Sequence, residues 1–305
     1  MISGIETTRL TGRRRGIMGW LGIIAMGLVG AILLAALVLL AILVWQGRQK
    51  PTGVPQYVAL GSSFAAGLGL GERVADSPIV CQRSVNGYPQ QLARMRGLSL
   101  VDMSCSGATT RHVLAGGQVF QGPQIDAIRR DTALVTLTSG GNDVSYVSDL
   151  TFMAGRNGSG LIGWGLKQFW KGPLAPEQRD FQVLETTLLA TLREIRRRAP
   201  DAKVVVVTYP VVLPPHDTCA KLGLDAAQVA AMRTVGERLA DATRSAARQG
   251  GAIVVDMQRR GVGHDACSAE PWVNGARDVK GALFHPTLAG AEATARAISE
   301  ALDQK

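Results

Sequence analysis

A hydroxyl, a base and a set of hydrogen-bond donors stand in four short blocks of this chain. The first block is Gly61-Ser62-Ser63-Phe64-Ala65-Ala66-Gly67 and the second is Ser104-Cys105-Ser106-Gly107-Ala108-Thr109-Thr110. The third is Ser139-Gly140-Gly141-Asn142-Asp143, and the last is Phe284-His285-Pro286. A serine hydroxyl is a poor nucleophile until a base takes its proton, and histidine is the usual base. The tetrahedral intermediate of acyl transfer carries an oxyanion, which needs preorganised donors. A glycine offers a backbone N–H with no side chain in the way, and an asparagine amide adds another donor. Each piece is weak alone, but the set in this order is what acyl transfer needs.

Such residues work only if separate elements carry them to one place. Short apolar runs at Tyr57–Leu60, Leu98–Met103, Ala133–Thr138, Lys203–Thr208 and Ala252–Asp256 have the Val/Leu/Ile content of strands buried on both faces. Helical patterns alternate with them. Phe181, Leu184, Leu188, Leu192 and Ile195 recur at three- and four-residue steps and make one apolar helix face. A second helix is expected from Asp225 to Arg248, stopped by Gly250-Gly251, and a last one from Pro286 to Leu302. This alternation predicts a parallel sheet with helices on both faces. Ligands of open α/β sheets bind beyond the carboxyl ends of the strands, and the first three blocks directly follow the first three strands.

With the blocks placed on their strands, the chain resembles the SGNH (GDSL-like) hydrolases, in particular secreted actinobacterial lipases and esterases, over roughly residues 55–300. The strand-then-G-D-S block is matched by Tyr57-Val58-Ala59-Leu60-Gly61-Ser62-Ser63, the G-x-N-D block by Gly140-Gly141-Asn142-Asp143, and the D-x-x-H-P block by Ala282-Leu283-Phe284-His285-Pro286. The resemblance implies Ser63 as nucleophile, His285 as base, and an oxyanion hole made by the N–H groups of Ser63 and Gly107 with the Asn142 amide. It implies a three-layer α/β/α domain around a five-stranded parallel sheet of flavodoxin-like order 2-1-3-4-5, and a carboxylic ester hydrolase that needs neither a metal nor another cofactor.

Two positions depart from the family pattern. Ser62 stands where the family has aspartate, and Ala282 stands three residues before the histidine, where the triad carboxylate would be. The Ala282 backbone carbonyl is then expected to orient His285, with Asp278 as runner-up. A G-x-S-x-G elbow is absent, which argues against an α/β-hydrolase, and there is neither a G-x-G-x-x-G at the end of the first strand nor a P-loop to mark a nucleotide site.

Among the remaining polar residues, His112, His216 and His264 read as surface or hydrogen-bonded histidines, Ser106 as structural, and Asp143 as a brace for the loop carrying Asn142. Residues 144–178 break the strand–helix rhythm with Phe152, Met153, Trp164, Phe169 and Trp170 among many glycines. They read equally as a surface excursion with its own small core and as an apolar lid.

Composition locates the domain. The 305 residues are 46% hydrophobic with a mean hydropathy of +0.12, which excludes a disordered chain. From Gly16 to Gly47 there are 32 residues without one ionisable side chain. Residues 19–45 are long enough to cross a bilayer, with Trp20 and Trp45 near the two ends and Arg13–Arg15 just before. A cleaved signal has a shorter apolar region and a small-residue site, so an uncleaved signal anchor is expected. Residues 1–18 are then a cytoplasmic basic terminus, 46–54 a linker, and 55–305 an extracytoplasmic domain.

The formal charge of +9 divides into +5 for residues 1–50 and +4 for the rest, and no basic stripe with interleaved aromatics points to nucleic acid. The run Arg196–Arg198 reads as a solvated helix end. Four cysteines outside the membrane segment suggest two disulfides. Cys81–Cys105 and Cys219–Cys267 are favoured among the three pairings because each closes a moderate loop within one half of the domain. The reading is a membrane-anchored serine esterase or lipase acting on an ester or lipid, including a cell-envelope glycolipid. The alternatives are a transacylase or deacylase acting on cell-envelope glycans or glycolipids, and a non-catalytic envelope-binding protein of the same fold.

Overall fold

The computed structural model describes residues 11–49, 53–277 and 279–304. Residues 1–10 of the expected basic terminus, part of the expected linker, and Asp278 lie outside the described residues. A single helix, α1 (Thr11–Arg48), contains the apolar run. Its stretch from Trp20 to Arg48 is 29 residues long, about 43 Å at 1.5 Å per residue, with its apolar side chains outward. The helix continues three residues into the stretch expected to be linker.

Five parallel strands follow: β1 (Tyr57–Gly61), β2 (Leu100–Asp102), β3 (Leu134–Thr138), β4 (Lys203–Val207) and β5 (Ile253–Val255). Their order, β2-β1-β3-β4-β5, is the expected one. Between β1 and β2 lie α2 (Ser63–Ala66) and α3 (Tyr88–Arg96), and between β2 and β3 lies α4 (Thr110–Ala115). The β3–β4 connection holds α5 (Tyr146–Asn157), α6 (Leu161–Phe169) and α7 (Phe181–Arg198). Then come α8 (Ala226–Gln249) before β5, and α9 (Met257–Arg260) and α10 (Leu288–Asp303) after it.

Alternation along the strands divides the core into two layers. Val58, Leu60, Val135, Leu137, Val204 and Val206 face Leu184, Leu188, Leu192 and Ile195 of α7 and Val235 and Leu239 of α8. Tyr57, Ala59, Leu134, Val205 and Val207 face Tyr88 and Leu92 of α3 and Ala295 and Ile298 of α10. On this second face Thr136 and Thr138 are buried without penalty, because the Tyr57 and Tyr88 hydroxyls lie 2.8 Å from their Oγ1 atoms.

Helix starts follow capping chemistry. Asp180 caps α7 by accepting from Val183 N, and Asp225 with Gln228 forms a capping box at α8. The last helix starts later than Pro286: Thr287 caps it, its Oγ1 accepting from Gly290 N, while Pro286 pairs with Val273 in an isolated bridge. A hydroxyl cap satisfies a first-turn N–H, which the proline ring cannot do. Both expected disulfides form.

Residues 144–178 do not form a separate small core. Met153 and Trp170 pack into the main core, and Phe152 meets Trp170 edge-on, whereas Leu161, Ile162, Trp164 and Phe169 point outward. Arg179 fastens the segment, pairing with buried Asp149 at 2.7 Å and donating to the Val144 carbonyl.

Candidate active site

The site is built where β1, β2 and β3 end. At the end of β1, Gly61 has φ 134°, and a side chain there would collide with the Thr138 carbonyl of β3. The close approach lets Ser62 N donate to that carbonyl at 2.9 Å. The chain then turns into α2, whose first residue is Ser63, so the Ser63 N–H belongs to a first turn without an intrahelical acceptor. Ser62 is fully buried, and its Oγ lies 2.9 Å from the Tyr209 hydroxyl. That contact places Ser62 away from the reacting position and leaves Ser63 as the hydroxyl facing the histidine.

Ser63 Oγ lies 2.7 Å from His285 Nε2, across 222 residues of sequence. His285 Nδ1 lies 2.7 Å from the Leu283 carbonyl oxygen. A carbonyl only accepts, so Nδ1 carries the proton and Nε2 is left to accept from Ser63. The contact spans two residues because Phe284 takes a left-handed backbone, φ 55°, which turns the Leu283 carbonyl back toward the ring. Phe284 is a bulky residue in a conformation that favours glycine, and its complete burial holds it there.

The expected role of Ala282 is corrected by one residue. Its carbonyl accepts from His285 N and from Asn274 Nδ2, both at 3.3 Å, and orients the loop rather than the imidazole. The runner-up, Asp278, lies outside the described residues. Burial pushes the His285 pKa down, with the Leu283 bond opposing that shift. Burial disfavours the imidazolium and keeps the base neutral.

The expected oxyanion donors stand in the loops that follow two other strands. Gly107 follows β2 with φ 84°, in a loop pinned by the Cys81–Cys105 disulfide and by Cys105 N donating to Gly61 O at 3.0 Å. Asn142 follows β3, and its Nδ2 donates to the Ala108 carbonyl at 2.8 Å. This bond uses one amide hydrogen and fixes the plane of the other. Asp143 accepts from Thr110 N at 3.0 Å and from the Thr110 hydroxyl, bracing the Asn142 loop against α4 as expected.

The remaining histidines are structural or exposed. His112 Nδ1 accepts from Thr109 N in a capping box, and His264 stacks on Trp272 with ring centroids 4.2 Å apart. His216 is exposed, and Ser106 Oγ donates to the Cys81 carbonyl.

Tyr209, which the strand-end reading missed, supports this arrangement together with Gly141 and Phe64. The Tyr209 hydroxyl touches Ser62 and accepts from Gly141 N at 3.2 Å, so one side chain joins the nucleophile turn to the asparagine loop. Its pKa is pushed up to about 12 by burial, so it stays a neutral phenol. Gly141 must lack a side chain, because a Cβ would run into the Tyr209 ring. Phe64 lies between, 4.5 Å from the Tyr209 ring and 5.2 Å from the His285 ring by centroid. Tyr209 sits just past β4, where strand-end reasoning could have found it. The Leu283 carbonyl has no signature in sequence.

A serine held by a neutral imidazole, with donors at two neighbouring strand ends, suits nucleophilic attack on a carbonyl carbon. The comparisons agree with this chemistry. A model of the GDSL-like Lipase/Acylhydrolase family matches residues 59–293. Lipase 2 of Streptomyces coelicolor is 33% identical over 249 residues, covering 78% of this chain and 80% of that protein. The crystal structure of an extracellular lipase from Streptomyces rimosus superimposes with a TM-score of 0.64 at 28% identity, covering 80% of this chain and 98% of that one. Phospholipase A1 from Streptomyces albidoflavus NA297 gives the same TM-score and coverage at 26% identity.

Proposed function

Because the chain belongs to the GDSL-like lipase/acylhydrolase family and is a carboxylic ester hydrolase, we propose that it is a membrane-anchored esterase or lipase whose domain faces out of the cytoplasm and cleaves esters through an acyl-enzyme on Ser63. The observation that carries the mechanism is the 2.7 Å contact between Ser63 Oγ and His285 Nε2, with Nδ1 held by the Leu283 carbonyl. Ser63 Oγ attacks the ester carbonyl carbon while Nε2 takes its proton. The carbonyl oxygen becomes an oxyanion, received by the N–H groups of Ser63 and Gly107 and the free amide hydrogen of Asn142. The intermediate collapses, the C–O bond to the alcohol breaks, and His285 returns its proton to the leaving alkoxide. Water, deprotonated by the same imidazole, then attacks the acyl-enzyme and frees Ser63.

The anchor reading is supported by the 32-residue uncharged run, longer than a signal peptide's apolar region, and by Arg13–Arg15 on its cytoplasmic side. Two disulfides suit an oxidising compartment. A fluorophosphonate probe tests the nucleophile: the full chain should label stoichiometrically, and Ser63→Ala should not label. Labelling that survives Ser63→Ala refutes the assignment. Cell fractionation tests the anchor. The chain is expected intact in the membrane fraction, with its domain open to external protease in spheroplasts. A released protein beginning near residue 46 refutes it.

A further inference from the structure

The outward face of α6 is an apolar surface of the domain that the catalytic reading leaves unused. Leu161, Ile162, Trp164 and Phe169 are 87%, 77%, 59% and 82% exposed. The reason lies in the helix's inner side, which is built from its smallest residue and one leucine. Gly163 is buried so closely against the Gly158 carbonyl that a Cβ would overlap it, and Leu166 rests on Gly155 of α5. With glycine turned inward, the large side chains have only solvent to face. Trp164 and Phe169 meet edge-on across the outer surface, 6.4 Å between centroids.

The charge around this face has one sign. From Leu150 to Pro176 the chain carries no aspartate or glutamate, while it carries Arg156, Lys167 and Lys171. Among the described residues none of these three cations is in an ion pair. A short helix with Trp, Phe, Leu and Ile on one side and lysine beside them is the composition of a helix that lies in a membrane interface. Aromatic rings suit the headgroup boundary, and each basic residue near an anionic surface adds attraction.

On the anchored reading, the same chain holds the domain beside a membrane. Eight residues, Gln49 to Gln56, separate the end of α1 from β1 and span at most about 28 Å. A domain on so short a link meets the bilayer at high effective concentration. The face is also close in sequence to the catalytic loops, since α5 begins four residues after Asn142 and α6 packs on α5.

We propose that α6 is a bilayer-contact element: its outer face seats in the headgroup layer of an anionic phospholipid membrane and holds the domain against the surface that carries lipid esters. The proposal rests on the anchored reading and adds a contact that the anchor alone does not require. Lys167 and Lys171 stand over acidic headgroups, and Leu161, Ile162, Trp164 and Phe169 enter the upper acyl region.

The test uses the full chain in proteoliposomes. Ile162→Cys, labelled with the environment-sensitive fluorophore NBD, reads the contact. Gln304→Cys, labelled likewise at the end of α10 in the other helical layer, is the control. The bilayers contain phosphatidylcholine with or without phosphatidylglycerol, and a nitroxide-bearing lipid is the quencher. The label at position 162 should lose about half or more of its emission to the nitroxide lipid, and the label at position 304 little. Lys167→Glu with Lys171→Glu should abolish most of that quenching in phosphatidylglycerol bilayers. Hydrolysis of a water-soluble p-nitrophenyl ester should be unchanged, because neither lysine touches the catalytic residues.

Equal, low quenching at both positions in a chain that floats with the vesicles overturns the proposal and leaves the anchor reading intact. A blue shift at position 162 that grows with protein density but is not quenched assigns the face to a second copy of the chain, which also overturns it. A chain that does not float with the vesicles refutes the anchor reading and this proposal together.

Discussion

Replacing Asp278 with asparagine separates a Ser–His dyad from a triad. Where an aspartate orients the catalytic histidine, its conversion to asparagine lowers kcat about 10⁴-fold, roughly 5.5 kcal/mol of barrier. Here Nδ1–H is already donated to the Leu283 carbonyl at 2.7 Å, and this bond selects the tautomer that leaves Nε2 free for Ser63. A carbonyl brings no full charge to the imidazolium that forms during attack, so the dyad runs slower than a complete triad. That deficit is present in the wild type and does not change with Asp278→Asn. The expected loss is therefore within about three-fold, under about 1 kcal/mol.

The pH profile gives a second, independent reading. Burial lowers the His285 pKa, and the Leu283 bond only partly opposes it. The acid limb of kcat/KM, which reports the free enzyme, should thus lie below the ordinary histidine value of about 6.5. A carboxylate partner would move it upward, and Asp278→Asn would then bring it back down. The sign carries over to stability. Between the lowered folded value and about 6.5 the unfolded chain binds more protons than the folded one, so His285 makes the fold less stable as pH falls through that window. The assay is p-nitrophenyl butyrate hydrolysis by wild type and Asp278→Asn from acid to neutral pH, with circular dichroism as the folding control. A hundred-fold or greater fall in kcat with the fold intact, or an acid limb above 6.5 that drops in the variant, refutes the dyad.

Ser63→Ala should abolish turnover, whereas Ser62→Ala should keep most of it, because Ser62 Oγ contacts Tyr209 and not His285; steady-state rates decide, and equal loss in both variants overturns the assignment. Asn142→Ala should lower kcat by about 10²–10³ with little change in KM, the usual effect of losing one oxyanion donor; a change in KM alone would place Asn142 in ground-state binding instead. Tyr209→Phe removes the acceptor of the Gly141 N–H and should lower kcat by about ten-fold through the loosened Asn142 loop, an estimate that assumes about 1–3 kcal/mol for an unpaired buried group. In the Asn142→Ala background the same change should cost little, and full additivity of the two losses would exclude that coupling.

Sequence alone determined the architecture because each layer is written in short-range pattern. Strands buried on both faces read as apolar runs, α7 reads from its three- and four-residue periodicity and α8 from its glycine stop, so a parallel sheet with helices on both faces follows. The first three candidate blocks were legible for a related reason: an open α/β sheet gathers whatever follows its strands at one edge, so position in the pattern stands in for position in space. The α1 run and the two disulfide pairs were likewise readable from length and count.

Tertiary structure decided what depends on backbone direction and on contacts between distant segments. The partner of His285 is a carbonyl, which every residue possesses, and only the left-handed turn at Phe284 selects that of Leu283 over that of Ala282. The harmlessness of a second serine at position 62 depends on a tyrosine 147 residues away. The outward turn of the α6 side chains depends on Gly163 meeting Gly158, a close approach that hydrophobic pattern alone reads the wrong way round. Composition records how much apolar surface a segment carries, but which side of it is buried is set by the shape of what it packs against.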